Sequence, residues 1–242
     1  MMSILSKTRW NLSLIPFILL LACEKTDTTV GLDGVLAVFS PNPANAVLGG
    51  TSNWVFVGNK SALDLRSIDE SRTPALEVWS TQSRGAAIRR VNARLLATPF
   101  LTWRWSVGEG EPQHPIRIVI GFSNKAETEK KGMLSRVIWG NNPPSYSRTL
   151  SLIWGGSALL RGSLIRERLS QPNKIKTVRY VVRGGEENRD KWWLENLDLS
   201  RIYSIAWPDS DMAKTRIVFV GLSSTGSKIP ERMRIMALRL SR

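Results

Sequence analysis

Along most of the chain, apolar and polar residues alternate in short runs rather than recurring every three or four positions. NWVFVG, ALEVWST, AAIRRV, FLTWRWSV, IRIVIGF, LSRVIWG, TLSLIWGG, KTVRYVVRG, IYSIAWP, TRIVFVGLSS and RIMALRL follow one another, broken by clusters of Gly, Pro, Asn and Ser. A period of two is the pattern of strands with one buried face. Helical spacing is weak; its best candidates are Asn188 to Leu199 and KAETEKKGML near residue 130. Many short strands with few helices predict an all-β, two-sheet β-sandwich or jelly roll with a few short helices.

The stretch FLTWRW shows what alternation implies for side chains. Residues two apart on a strand share a face, so Leu101, Trp103, Trp105 and Val107 fall together and Thr102, Arg104 and Ser106 fall opposite. The tryptophans therefore belong to an apolar face, and Arg104 to the other. IRIVIGF repeats the arrangement, with Ile116, Ile118, Ile120 and Phe122 on one face and Arg117 on the second. If the two strands are neighbours, Arg104 and Arg117 share a surface on which guanidinium forks can meet carboxylates or phosphates. The competing reading pairs each arginine with an acidic residue across the sheet.

The N-terminus departs from this pattern. Lys7 and Arg9 precede the apolar run Leu12 to Ala22, and the chain's single cysteine, Cys23, follows directly in LLAC. A charged start, a short apolar run and a small residue form a signal peptide pattern, too short for the roughly 20 residues that cross a bilayer. LLAC resembles the lipobox of bacterial lipoproteins, in which the cysteine is acylated, palmitate included, and becomes the first residue of the mature chain. The expected organisation is a signal peptide over 1–22, lipidation at Cys23, a flexible tether over 23–34 and a β-sandwich domain over 35–242. Glu24 after the cysteine favours sorting to the outer membrane, facing the periplasm.

Composition then narrows the partners. Without residues 1–22 the chain carries 32 basic and 20 acidic side chains, a net charge of +12. For an exported protein this points away from nucleic acid and towards anionic head groups, lipopolysaccharide phosphates, acidic polysaccharide or an envelope protein. No block of consecutive basic residues concentrates the charge.

Candidate chemistry is sparse. His114, the single histidine, sits in a loop and reads as exposed; no nucleophile-elbow motif accompanies it. One histidine and one cysteine make no zinc site. Glu109, Glu111, Glu186, Glu187 and Glu195 are available carboxylates, but no spacing selects a glycosidase pair. The sequence therefore assigns no catalytic residue. Asp209 and Asp211 form a D-x-D turn that can hold Ca²⁺ or simply bond its own backbone; no other cofactor is implied. Trp139 and Trp154 each end a run before a Gly- or Pro-rich loop, with Tyr146 close by, and are candidate sugar platforms or core-edge rings. Trp192 and Trp193 cannot both face inward on one strand.

Taken in order, WVFV, TPALEVWSTQS, LTWRWSV, PIRIVIGF, LSRVIWGNN, the RYVVRGG to KWWLENLDL stretch and SIAWPDSDMAKTRIVFVG resemble the bacterial family catalogued as domain of unknown function 3047. The resemblance covers nearly all of the chain after Cys23. It departs after Trp193, where the family's longer Asp-rich, partly helical insert is replaced by the short ENLDLSRIYSIAW. It implies an exported β-sandwich shaped like carbohydrate-binding modules, with no catalytic residue set. The functional expectation is a lipid-anchored envelope protein that binds an anionic glycan or an envelope partner without catalysis. Its ligand-binding candidates are Arg104, Arg117, Trp139, Tyr146 and Trp154. The alternatives are a carbohydrate-active enzyme of glycosidase or lyase type on a jelly-roll scaffold, and a structural or assembly lipoprotein.

Overall fold

Alternating segments can bury their apolar faces only against a second such surface, and the chain does this with two sheets. A computed structural model describes residues 28–39, 54–124, 144–166 and 176–242. Its strands are β1 (Thr28–Thr29), β2 (Val35–Ala37), β3 (Trp54–Gly58), β4 (Leu63–Glu70), β5 (Thr73–Ser80), β6 (Gly85–Arg94), β7 (Phe100–Val107), β8 (Ile116–Asn124), β9 (Arg148–Gly155), β10 (Leu164–Arg166), β11 (Lys176–Gly184), β12 (Trp193–Asp198), β13 (Thr215–Ser224) and β14 (Arg232–Ser241), with one α-helix, α1 (Leu199–Ala206). Eight strands form the larger sheet, in the order β1-β6-β13-β8-β9-β11-β10 with β3 also on β6; six form the smaller, β12-β7-β14-β5-β4 with β2 on β14. The architecture is the expected all-β sandwich.

The pleat sorts the side chains as the sequence predicts. Leu101, Trp103, Trp105 and Val107 of β7 point into the sandwich and meet Ile116, Ile118, Ile120, Phe122, Leu150, Leu152 and Trp154 of the larger sheet, all of them fully buried. Trp103, Trp105 and Trp154 pack edge to face in a row, with centroids 5.8 and 5.5 Å apart, the arrangement that aromatic quadrupoles prefer.

Three segments differ from the sequence reading. Residues 193–198 of the expected helix Asn188 to Leu199 form strand β12, because Trp193, Glu195 and Leu197 alternate inward opposite Trp105, Trp103 and Leu101. The helix comes one segment later, in the run IYSIAWP read as a strand. There Leu199, Ile202, Tyr203 and Ala206 are buried at helical spacing, and the Asp198 carboxylate accepts from the N–H groups of Ser200 and Arg201 as an N-cap. Thr28 and Thr29, within the expected tether, pair in parallel with Val91 and Asn92 of β6, so the ordered fold starts before Val35. The candidate helix near residue 130 and the run LSRVIWG lie outside the described residues.

Strand β4 was not expected: LDLRSIDE turns polar after Leu65. It is held as an antiparallel hairpin with β5, register Leu63 opposite Ser80 through Glu70 opposite Thr73. The two-residue turn, Ser71 and Arg72, has φ of 51° and 66°, the left-handed geometry that tight hairpins require and glycine or asparagine usually supplies.

Candidate functional site

The sequence-derived candidates separate in space. Trp154 lies wholly in the core against Trp105, which corrects its reading as a sugar platform: position 154 is an inward site of β9. Arg104 and Arg117 do not share a surface, because β7 and β8 belong to different sheets and the two arginines project from opposite outer faces of the sandwich. Arg104 is exposed; Arg117 is partly covered. Tyr146 packs edge to face on Phe219 at 5.0 Å, within a small outer cluster with Val55, Ile88 and Val119, and burial raises the pKa of its hydroxyl. Trp139 and Cys23 lie outside the described residues. Asp211 caps the short turn Met212–Lys214, accepting from Ala213 N–H at 3.0 Å and pairing with Lys214 at 3.1 Å, and these contacts hold its carboxyl below the usual range. Asp209 is exposed beside it. Among the described residues no group of three or more His, Cys, Asp or Glu side chains could hold a metal ion.

Arg104 leads to a richer surface. On the outer face of the smaller sheet, Arg232 and Arg234 of β14 alternate with the buried Met233 and Ile235, and Glu77 and Trp79 of β5 alternate with the buried Leu76 and Val78. Register places Arg234 between Glu77 and Ser106, and Arg232 opposite Trp79. Trp192, just before β12, completes the face while its neighbour Trp193 turns inward, as two consecutive residues must. Each outer indole is bound in the same way. Trp192 donates its N–H to Glu70 at 3.1 Å and lies 5.3 Å from the Arg234 guanidinium; Trp79 donates to Glu77 at 3.0 Å and lies 5.9 Å from that of Arg232. Cation–π contacts and edge hydrogen bonds hold both rings in fixed orientation. Arg234 pairs with Glu70 at 2.9 Å, and Arg232 with Asp190 at 3.0 Å. Among the described residues no carboxylate pairs with Arg104, which has the exposed Leu194 opposite it on β12. The surface thus combines half-buried, oriented indoles with guanidinium and carboxylate groups, the elements that pack on sugar C–H faces and fix hydroxyl or acidic substituents.

Two further acidic residues are buried. Glu195 of β12 points inward at the sandwich's edge, where Oε1 accepts from Arg183 Nε at 2.7 Å and from Trp105 Nε1 at 3.3 Å, and Oε2 accepts from Arg161 at 3.3 Å. Arg183 comes from β11 of the larger sheet and lies 3.7 Å over the Trp193 ring, so this carboxylate ties the two sheets together. The second is Glu231, beside His114. The expectation that His114 is exposed is corrected: it is fully buried. Its Nδ1 accepts from Ile116 N–H at 3.2 Å, which puts the ring proton on Nε2, 3.9 Å from Glu231 Oε2. Burial, with the nearby Arg189 charge, lowers the His114 pKa to about 4, and burial raises that of Glu231. Gly110 has a φ of 155°, and a Cβ there would run into the Glu231 carboxylate. Glu195 and Glu231 are both enclosed at about 2% and 1% exposure, so neither faces a substrate in this conformation.

Sequence reasoning missed Trp79, Glu70, Arg232 and Arg234 as members of one face, although alternation in ALEVWS and RMRIMALRL separates Trp79, Arg232 and Arg234 from the core positions. Which strands are neighbours was the missing information.

The family model described as protein of unknown function (DUF3047) matches residues 52–225. A search of curated proteins finds no match. Among solved structures, the chain is similar to the xyloglucanase domain of NopAA, a type three effector from Sinorhizobium fredii, in complex with cellobiose, at 11% identity over 78% of this chain and 94% of that one, TM-score 0.44. It is similar also to the family 11 carbohydrate-binding module of the cellulosomal cellulase Lic26A-Cel5E of Clostridium thermocellum, at 8% identity over 87% and 96%, TM-score 0.42. A third is the family 12 xyloglucanase from Bacillus licheniformis, in complex with ligand, at 9% identity over 86% and 96%, TM-score 0.45.

Proposed function

The chain belongs to the DUF3047 family, and from that premise we propose that it is a non-catalytic binding domain for an anionic glycan, anchored by lipid at Cys23 in the bacterial envelope. The observation that carries this reading is the outer face of the smaller sheet, where Trp79 and Trp192 are held edge-on by carboxylates beside Arg104, Arg232 and Arg234. The mature charge of +12 supports an acidic ligand. Five peptide steps join Cys23 to Thr28, a reach of at most about 18 Å, so acylation would keep the domain close to its membrane.

The test is a glycan array probed with the chain lacking residues 1–23, alongside its Trp79→Ala and Trp192→Ala variants. The proposal expects retention of acidic oligosaccharides, weakened by salt and by either substitution. Absence of any glycan binding at low salt would overturn it.

A further inference from the structure

Resting on that reading of the same face, we propose that the donor pair formed by Trp192 Nε1 and the Arg234 guanidinium is a carboxylate subsite for a uronic acid unit, and that Glu70 occupies it in the free protein.

Glu70 divides its two oxygens between donors from other parts of the sheet, Trp192 Nε1 at 3.1 Å and Arg234 Nη1 at 2.9 Å. This is how a bound acidic group would be held, by one indole N–H and one guanidinium. The occupant, however, comes from the tip of the β4–β5 hairpin. Pairing between β14 and β5 ends at Ile235 opposite Leu76, so beyond that point the tip is tied to the rest of the sheet through side chains. Its turn is made by Ser71 and Arg72, both with positive φ, where neither residue type is at ease. The β4–β5 ladder carries Glu70 to the face, and from there its side chain alone reaches across to Trp192 and Arg234.

Arg234 is also incompletely used. Glu70 engages Nη1 alone, Nη2 makes only a long 3.5 Å contact to Ser106, and Nε is buried with no acceptor among the described residues. A ligand carboxylate approaching this guanidinium as a fork would gain a bond that Glu70 does not make. The pair it displaces keeps contact with water, 19% of the Arg234 side chain and 29% of the Glu70 side chain being exposed. Arg104, two residues from Ser106 on the same face of β7, stands ready for a second acidic unit. Binding is then an exchange of one carboxylate for another on the Trp192 N–H and the Arg234 guanidinium, with the Glu70 side chain turning out to solvent.

The exchange predicts that removing the internal occupant strengthens binding. The detergent-purified full chain and its Glu70→Gln and Glu70→Ala variants are titrated with a hexamer of galacturonic acid and with neutral cellohexaose. The expected result is an affinity for the acidic hexamer about five- to tenfold higher in both variants, no gain for the neutral one, and loss of the gain when Arg234→Gln is added. Unchanged thermal unfolding midpoints in the Glu70 variants separate this from misfolding. Acidic hexamer bound by the wild type through Trp79, but equally or less well by the Glu70 variants, overturns the exchange and leaves the glycan-binding reading intact. No binding of either hexamer by wild type or variants overturns both.

Discussion

Arg183 Nε donates to Glu195 Oε1 at 2.7 Å, joining edge strand β12 of the smaller sheet to β11 of the larger. The Glu195 side chain is only 2% exposed and that of Arg183 11%, so each is the other's main compensation for lost water. Removing one partner of a buried pair is costly because the remaining charge stays buried. Glu195→Ala is expected to destabilise the fold by roughly 3–5 kcal/mol, read as a lower denaturant midpoint. The double variant with Arg183→Ala should be less destabilised than the sum of the two single ones.

The tryptophans divide into core and surface by their effect on stability. Trp154→Ala removes a fully buried ring touching Trp105, at an expected cost of about 3–5 kcal/mol. Trp79→Ala and Trp192→Ala, on the outer face, should cost about 1 kcal/mol or less in unfolding while weakening glycan binding at least about tenfold, the share that a stacking aromatic carries at a binding site. Chemical denaturation and calorimetric titration on the same samples separate the two classes.

His114 makes stability depend on acidity. Its pKa falls from 6.5 to about 4 on folding, so between those values the unfolded chain takes up a proton that the folded chain refuses. The stability gained by keeping this imidazole neutral is complete above pH 6.5 and is lost as pH falls through 4. Glu231, raised by burial, contributes in the opposite sense, favouring the fold when protonated and losing that contribution as pH rises through its folded pKa. Denaturant midpoints of wild type and His114→Asn, compared at pH 7 and pH 4, should show a smaller drop in the variant, since only the wild type has this group to charge on unfolding. Equal drops would mean that His114 is accessible to protons in the folded state.

The helix cap gives a local prediction. Asp198 accepts from Ser200 and Arg201 at 2.9 and 3.0 Å, and Asp198→Ala should cost about 1 kcal/mol, measured as a fall in the unfolding midpoint.

Alternation made the strands and their inward faces legible: Trp103 and Trp105 are core because Leu101 and Val107 share their side, and Arg104 is outside for the same reason. Where the pattern was mixed, tertiary context decided. WLENLD carries a glutamate on its inward side, and only Arg183, Arg161 and the Trp105 indole, brought from elsewhere in the chain, make that position tenable, so the segment did not read as a strand. IYSIAW has strand-like residues, yet the Asp198 cap and the buried positions 199, 202, 203 and 206 make it a helix. The candidate face was legible only in pieces. Each strand showed which residues point outward, but nothing in the sequence said that β7 neighbours β14 and β12 rather than β8, and that adjacency gathers Trp79, Trp192, Arg104 and Arg234 while sending Arg117 to the opposite side.

That separation supplies the most direct test of where the glycan binds. Calorimetric titration of an acidic oligosaccharide into wild type, Arg104→Gln and Arg117→Gln should show affinity reduced about tenfold or more by the first substitution, the share of one charge-assisted contact, and unchanged by the second. Equal affinity in wild type and Arg104→Gln, with loss in Arg117→Gln, would place the ligand on the larger sheet and contradict the account.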